Sequence, residues 1–386
     1  MTMFRTPRAR ALAVVCAAAA AMIALAGCEA TAETPTSTGS AAATEEATGL
    51  AAEVATALQA PGNTVPTETV ADGDALEGKT VYYVPITLQS AQFNVTAAAL
   101  TDALDELGAS IQICDGKGTP TDVGSCINQG VTAGAAAIVT DAVSYKLGEN
   151  ALDAAQAAGV PVIISNQLED EAHPASETLG YMATGGFSQQ EITAKWVTVD
   201  SEGAAHLLAN VTADGPAPKA FFAAGQDVYD SECPDCVIVT NEVSTANFSL
   251  VAPSTQSALL ANTETDYVQT QFAQFLQPTL GGIQGAGMAG KVKVIAGSVQ
   301  LGDLKAVADG SVTAATGQGS AFTGWLLADL ALRLVAGEDV PDYTIPVRLF
   351  TADNIGDIDL TEAAEASGEW YGDTDYPAEF AKIWGR

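Results

Sequence analysis

From Lys79 onward the chain repeats one unit: a short run of β-branched and aromatic residues, a turn, and an amphipathic stretch closed by glycine. Thr80–Ile86 (TVYYVPI) reads as a strand, and Phe93–Gly108 follows with Leu100, Leu104 and Leu107 at helical spacing and Gly108 placed to end it. A strand over Ser110–Cys114 precedes a helix near 122–130. A strand over Ala136–Thr140 precedes a helix over 144–158 that stops at Gly159, and Val160–Ile164 is the next strand. The rhythm restarts after Gly185-Gly186, with helices over 187–201, 217–229, 252–263 and 277–286. They alternate with strands over 206–211, 237–242, 265–272 and 291–295. Two further βα units end in a long helix closed at Arg333–Glu338. Short turns between strand and helix leave a parallel sheet wrapped by helices as the arrangement that buries every apolar face. Two successive sets of similar size predict an α/β protein of two doubly wound lobes. Ligands are then expected at strand C-terminal ends facing a cleft.

What precedes this region is of a different kind. Arg5, Arg8 and Arg10 form a basic start, Ala11–Ala26 a short apolar run, and Leu25-Ala26-Gly27-Cys28 a small-residue close. This is the order of a secretory signal, and sixteen apolar residues are few for a membrane span. Residues 28–49 are rich in Thr, Ala, Ser and Glu, too poor in large side chains to order themselves. A short helical prelude over 50–77 follows, broken at Pro61-Gly62. Without its first 27 residues the chain of 386 carries a net charge of −35. A surface so negative repels phosphate backbones, which excludes nucleic acid as a partner. Export permits disulfides, and Cys114, Cys126, Cys233 and Cys236 make an even count with three possible pairings. Proximity favours Cys114 with Cys126 and Cys233 with Cys236.

Few of the motifs that carry chemistry are present. Gly285–Gly290 (GAGMAG) matches the dinucleotide fingerprint letter for letter, but it closes a helix and leads into a strand, the reverse of what a pyrophosphate needs. There is no GxxxxGK[ST] and no GxSxG, and His173 and His206 are the only histidines. The Cys233–Cys236 pair has no second CxxC to complete a metal site. No cofactor, metal or catalytic group is expected.

Three segments carry a family resemblance. Val81–Phe93 (VYYVPITLQSAQF) resembles the first strand and binding loop of the type I periplasmic solute-binding proteins, most of all the ribose-binding branch serving sugar ABC transporters. Val160–Gln167 (VPVIISNQ) is similar to that family's fourth strand and turn. Asp309–Gly324 is similar to its late strand-to-helix segment. Leu25–Cys28 resembles the lipobox of bacterial lipoproteins, which implies a lipid on Cys28 and residues 28–49 as a tether to the outer face of the membrane. The resemblance implies two Rossmann-like lobes joined by a three-strand hinge. Lobe one takes 78–183 plus 319–347, and lobe two takes 184–318 plus the tail 348–386.

The family's contacts carry over, residue by residue, to Thr87, Gln89, Ser90, Gln92 and Phe93, then Asn166 and Gln167, Phe221, Gln274 and Phe275, Ser298, and Gln318. Where ribose binders carry Asp-Arg, Asp and Arg, this chain has Asn166-Gln167, Ser298 and Phe221. Hydrogen bonds to charged groups are roughly twice as strong as neutral ones, so a cleft of amides is expected to take a neutral, hydroxyl-bearing solute, a sugar. An ABC permease and its ATPase subunit are the implied partners, and the receptor is expected to act as a monomer. A sensor lipoprotein signalling to a membrane kinase or chemoreceptor shares every one of these features. A glycosidase built on carboxylates alone is the enzymatic alternative.

Overall fold

The computed structural model describes residues 49–182 and 185–386. Cys28, the leader and the tether up to residue 48 lie outside the described residues. The chain opens with α1 (Leu50–Ala57), then runs β1 (Thr80–Pro85), α2 (Ala91–Glu106), β2 (Ser110–Ile113), α3 (Pro120–Ala133), β3 (Ala137–Asp141), α4 (Tyr145–Ala157), β4 (Val162–Ser165) and β5 (Leu179–Met182). The second set is α5 (Gly186–Asp200), β6 (His206–Thr212), α6 (Pro216–Glu232), β7 (Val237–Val243), α7 (Val251–Ala261), β8 (Tyr267–Thr270), α8 (Leu276–Gly285), β9 (Lys293–Gly297), α9 (Leu301–Ala308) and β10 (Ala314–Gln318). The chain closes with α10 (Ser320–Ala336), β11 (Val347–Thr351), α11 (Glu362–Ser367) and α12 (Tyr376–Ile383).

The strands form two sheets, ordered β2-β1-β3-β4-β5 and β11-β10-β9-β8-β6-β7. All pairings are parallel except β10 with β11, an antiparallel edge that the regular alternation did not announce. Each sheet is wound both ways from its first strand, which leaves a crevice at that strand's C-terminal end. Residue alternation along β1 shows why both faces need helices. Val81 and Tyr83 enter the core shared with α2 and α10, while Tyr82 and Val84 enter the core shared with α3 and α4. α10 is buried along nearly its whole length, because it lies on α2 at close range. A Cβ at Gly324 would come within 2.5 Å of the Leu100 backbone nitrogen, so glycine permits that approach. Cys114 is bonded to Cys126, tying the end of β2 to α3, and Cys233 to Cys236, closing the turn between α6 and β7.

The lobes are joined where β5 leads to α5, β10 to α10, and α10 to β11. The prelude and the tail also cross between them. Val54 of α1 packs in the second lobe with Val197 and Leu207, and Glu53 pairs with Lys195 at 2.7 Å. Val70 and Leu76 are core residues of the first lobe. The tail, expected with lobe two throughout, divides in the same way. Trp370 and Tyr371 pack in the second lobe, whereas Tyr376, Phe380, Ile383 and Trp384 pack in the first. The reason is size: an aromatic stripe needs a wide apolar face, and α10 offers Phe322 and Trp325. The two crossings are bonded together, Gly62 N–H to the Tyr371 carbonyl at 2.7 Å and Asn63 Nδ2 to the Asp373 carbonyl at 2.9 Å.

Candidate functional site

The C-terminal ends of the two sheets face each other, and a cavity lies between them. Its volume is about 80 Å³, well above the roughly 10–15 Å³ that a single water needs. The first lobe contributes Ser90, Gln92 and Phe93 from the start of α2, and Asn166 and Gln167 from the turn after β4. The second contributes Gln189 in the first turn of α5, Phe221 of α6, Gln274, and Ser298 after β9. Gln318 ends β10 at the hinge.

The backbone marks the same place. Ala142, Asn166 and Ser298 stand immediately after β3, β4 and β9 with φ of 57°, 54° and 55°. These are left-handed conformations that side chains other than glycine rarely adopt, and all three residues line the cavity. Strain of this kind persists where the surrounding structure imposes it. Here it turns the residue after each of the three strands, Ala142, Asn166 and Ser298, towards the cleft.

Side-chain amides dominate the polar lining and bond to one another. The Ser298 N–H donates to Gln189 Oε1 at 2.7 Å, and Gln189 Nε2 donates to Gln318 Oε1 at 3.1 Å. Gln318 Nε2 donates across the hinge to Asn166 Oδ1 at 3.2 Å, and Asn166 Nδ2 to Asp141 Oδ1 at 2.6 Å. Phe93 and Phe221 supply apolar walls. Phe221 meets Phe187 edge-on at 4.9 Å, and its ring occupies the space a Cβ at Gly186 would need.

Nine of the twelve expected contact residues line this cavity: Ser90, Gln92, Phe93, Asn166, Gln167, Phe221, Gln274, Ser298 and Gln318. Three do not. Thr87 is buried, its hydroxyl accepting the Gln89 N–H at 3.1 Å, so it shapes the loop, and Gln89 faces solvent. Phe275 is fully buried against Val243 and Val251 beneath the cleft wall, because its neighbour Gln274 takes the cavity-facing position. Sequence reasoning missed Gln189 and Asp214. Gln189 had a faint signal, a polar residue in the first turn after the Gly185-Gly186 break. Asp214 carries the one charge among the described lining residues, and its Oδ2 accepts the Thr245 N–H at 2.8 Å and hydroxyl at 2.6 Å. Among the described residues no cluster of His, Cys, Asp or Glu is placed to hold a metal ion.

Two doubly wound lobes closing on a polar cleft define a hinged binding protein. The chain belongs to the periplasmic binding protein family: the periplasmic binding protein domain matches residues 81–339. The prelude and the tail lie outside that match. A comparison with curated protein sequences gives no match. Among solved structures, the chain resembles a 5-methylthioribose transporter solute-binding protein from Thermotoga lettingae, with a TM-score of 0.66 and 18% identity over 82% of this chain and 99% of that one. It also resembles the Caulobacter myo-inositol binding protein (TM-score 0.64, 18% identity, 76% of this chain and 98% of that one). A third is a glucose-galactose binding protein from Geobacillus stearothermophilus (TM-score 0.64, 15% identity, 72% of this chain and 99% of that one). At these identities the likeness is one of fold.

Proposed function

We propose that the chain captures a small neutral, hydroxyl-bearing solute, a sugar, in the interlobe cleft and delivers it to an ABC permease and its ATPase. In this reading a lipid on Cys28 holds it to the outer face of the membrane, and residues 28–49 are its tether. The observation that carries the reading is the chemistry of the cavity wall. Its amides each offer a donor and an acceptor, as a polyol demands, and two phenyl rings stand where a sugar's apolar face can stack. Asp214, the one charged residue among the described lining residues, already accepts two hydrogen bonds from Thr245 at Oδ2. The structural relatives support the same reading, since their names record 5-methylthioribose and myo-inositol as ligands.

Titration calorimetry and thermal shift against monosaccharides, cyclitols, sugar phosphates and charged amino acids test it. A ligand at a hundred times its dissociation constant stabilises the folded state by roughly 2.7 kcal/mol, a shift that is easily read. Stabilisation by a neutral polyol is the expected result; preference for a phosphate ester or a charged amino acid sinks the proposal. Palmitate labelling in a bacterial host, lost in Cys28→Ser, tests the anchor.

A further inference from the structure

Asp141, at the end of β3, is fully buried and does not reach the cavity. Both of its oxygens are nevertheless committed: Oδ2 accepts the Tyr83 hydroxyl at 2.6 Å, and Oδ1 accepts Asn166 Nδ2 at 2.6 Å. We propose that Asp141 is a positioning residue that, with the Ser298 N–H, fixes the orientation of the Asn166, Gln318 and Gln189 amides and hence which donors and acceptors the cleft shows its solute. The link to solute choice rests on the sugar-binding reading above; the orientation itself does not.

The argument is one of polarity. An amide side chain is nearly the same shape when turned by 180°, but its donor and acceptor exchange places. An isolated amide in a cleft can therefore suit either hydroxyl pattern. Here the two ends of the chain are fixed. An ionised carboxylate only accepts, so Asn166 must turn Nδ2 towards Asp141 and leave Oδ1 for Gln318. Gln318 must then present Nε2 to Asn166, and its Oε1 must take Nε2 of Gln189. The last acceptor, Gln189 Oε1, meets the Ser298 backbone N–H, which only donates. Reversing any one amide sets two like groups in direct contact, with no room for a bridging water between them, at a cost of roughly 1–3 kcal/mol per unmet group. The pattern offered to the solute is thus set before the solute arrives.

Burial pushes the Asp141 carboxyl above the usual range, more than its hydrogen bonds bring it down. Once protonated it can donate, and the constraint at this end is released. Tyr83 of β1 is the titratable group that faces it; Asn166, the Ala142 N–H and the Ser165 hydroxyl, its other partners, are neutral.

The test uses the isotope-labelled full-length chain and the side-chain amide signals of Asn166, Gln318 and Gln189, read first without ligand. In the wild type these signals should move together as the Asp141 carboxyl protonates. Asp141→Asn keeps an acceptor for Asn166 and offers Tyr83 an N–H, so its signals should lie near the wild-type positions and no longer follow pH. Asp141→Leu removes the acceptor, and the Asn166 and Gln318 signals should shift and exchange with solvent. With D-galactose and D-glucose, probes that differ at one hydroxyl, Asp141→Leu should bind roughly tenfold more weakly or discriminate less, and Asp141→Asn should stay close to wild type. Wild-type signals indifferent to Asp141 protonation, or equal displacement in both variants, overturn the proposal. If Asp141→Leu does not fold, the pH titrations of wild type and Asp141→Asn decide alone. If neither probe binds, the sugar reading suffers while the amide signals still settle the orientation.

Discussion

The hinge has two sides built from opposite materials. On the cleft side the lobes meet through neutral side-chain amides, Gln318 to Asn166, at the edge of a cavity and beside three left-handed residues. On the far side the crossing prelude and tail are joined by main-chain pairing, and the tail is fastened to the first lobe by aromatic stacking and buried charge. Trp325 and Trp384 stack with centroids 5.7 Å apart and planes 6° from parallel. Asp329, fully buried, accepts Trp384 Nε1 at 2.7 Å, Arg333 Nε at 2.8 Å and the Tyr343 hydroxyl at 2.7 Å. Arg348 donates to the Leu58 and Trp370 carbonyls, fastening prelude and tail to β11. The difference separates two tasks. Contacts that a solute must displace are neutral and few, while those that keep the lobes in register are dense and dry. Damage on the far side should therefore appear as lost stability, and damage on the cleft side as lost binding.

The largest effect is expected at Asp329. Asp329→Leu leaves the Arg333 guanidinium without its carboxylate and the Trp384 and Tyr343 donors without an acceptor. Breaking a buried pair by removing one partner costs about 3–5 kcal/mol, to be read as a fall in the urea midpoint with little change in ligand affinity per folded molecule. Gly372→Ala should come next. Gly372 has φ +154°, and an added Cβ would stand 2.6 Å from Gly62 Cα, so prelude and tail must part. A loss of about 1–3 kcal/mol is expected from strain and unmade pairing. An unchanged midpoint would mean that this crossing bears no load.

Where the tail meets the second lobe, two carboxylates share the start of α9. Asp303 accepts the Gln300 N–H at 3.0 Å, and Glu365 accepts the Leu301 N–H at 2.7 Å. Burial chiefly, with the Glu365 charge beside it, pushes the Asp303 carboxyl up to about 6. An acid whose folded pKa is raised binds its proton more tightly when folded. Its contribution therefore favours the folded state at low pH and declines as pH rises from about 4 to about 6. Asp303→Asn keeps the cap acceptor and removes the titration. Its midpoint should gain on the wild type by up to about 3 kcal/mol across that window and run level above it. A constant difference between pH 4 and 7 would contradict the assignment.

Much of this organisation was legible in the sequence because it is local. Strand, turn and amphipathic helix repeat within thirty residues, and Gly108 and Gly159 mark helix ends, so the two lobes follow from periodicity. β5 escaped because Leu179–Met182 is four residues long and contains a glycine. In the site, polar residues just past strand ends (Asn166, Ser298, Gln318) were visible as candidates. Gln189 had only its place just after the Gly185-Gly186 break to mark it, since nothing in one sequence says which face of α5 turns to the cleft. Phe275 was misplaced by one residue, which is enough to exchange cavity for core. The left-handed turns at Ala142 and Ser298 gave no warning, as neither residue type favours them. Least visible of all was the pairing of Gly62 with Tyr371, about three hundred positions apart, where only the folded chain brings the partners together.

The smallest change in stability, and the sharpest contrast, is expected at Gln318. It donates to Asn166 and accepts from Gln189, so Gln318→Leu breaks the amide chain at its midpoint. In a dry core the two groups left behind would cost several kcal/mol. Beside a cavity of about 80 Å³, water can reach both, and a bridging water replaces most of a direct hydrogen bond. The urea midpoint should thus move by no more than about 1 kcal/mol. Binding is another matter, because the water that repairs the free protein must be expelled or accommodated when a solute enters, and the donor that Gln318 offered is gone. Affinity for the solute that the wild type binds should fall roughly tenfold or more. If Gln318→Leu instead unfolds as readily as Asp329→Leu, the cleft side shares the load of the far side, and the division of labour across the hinge is wrong.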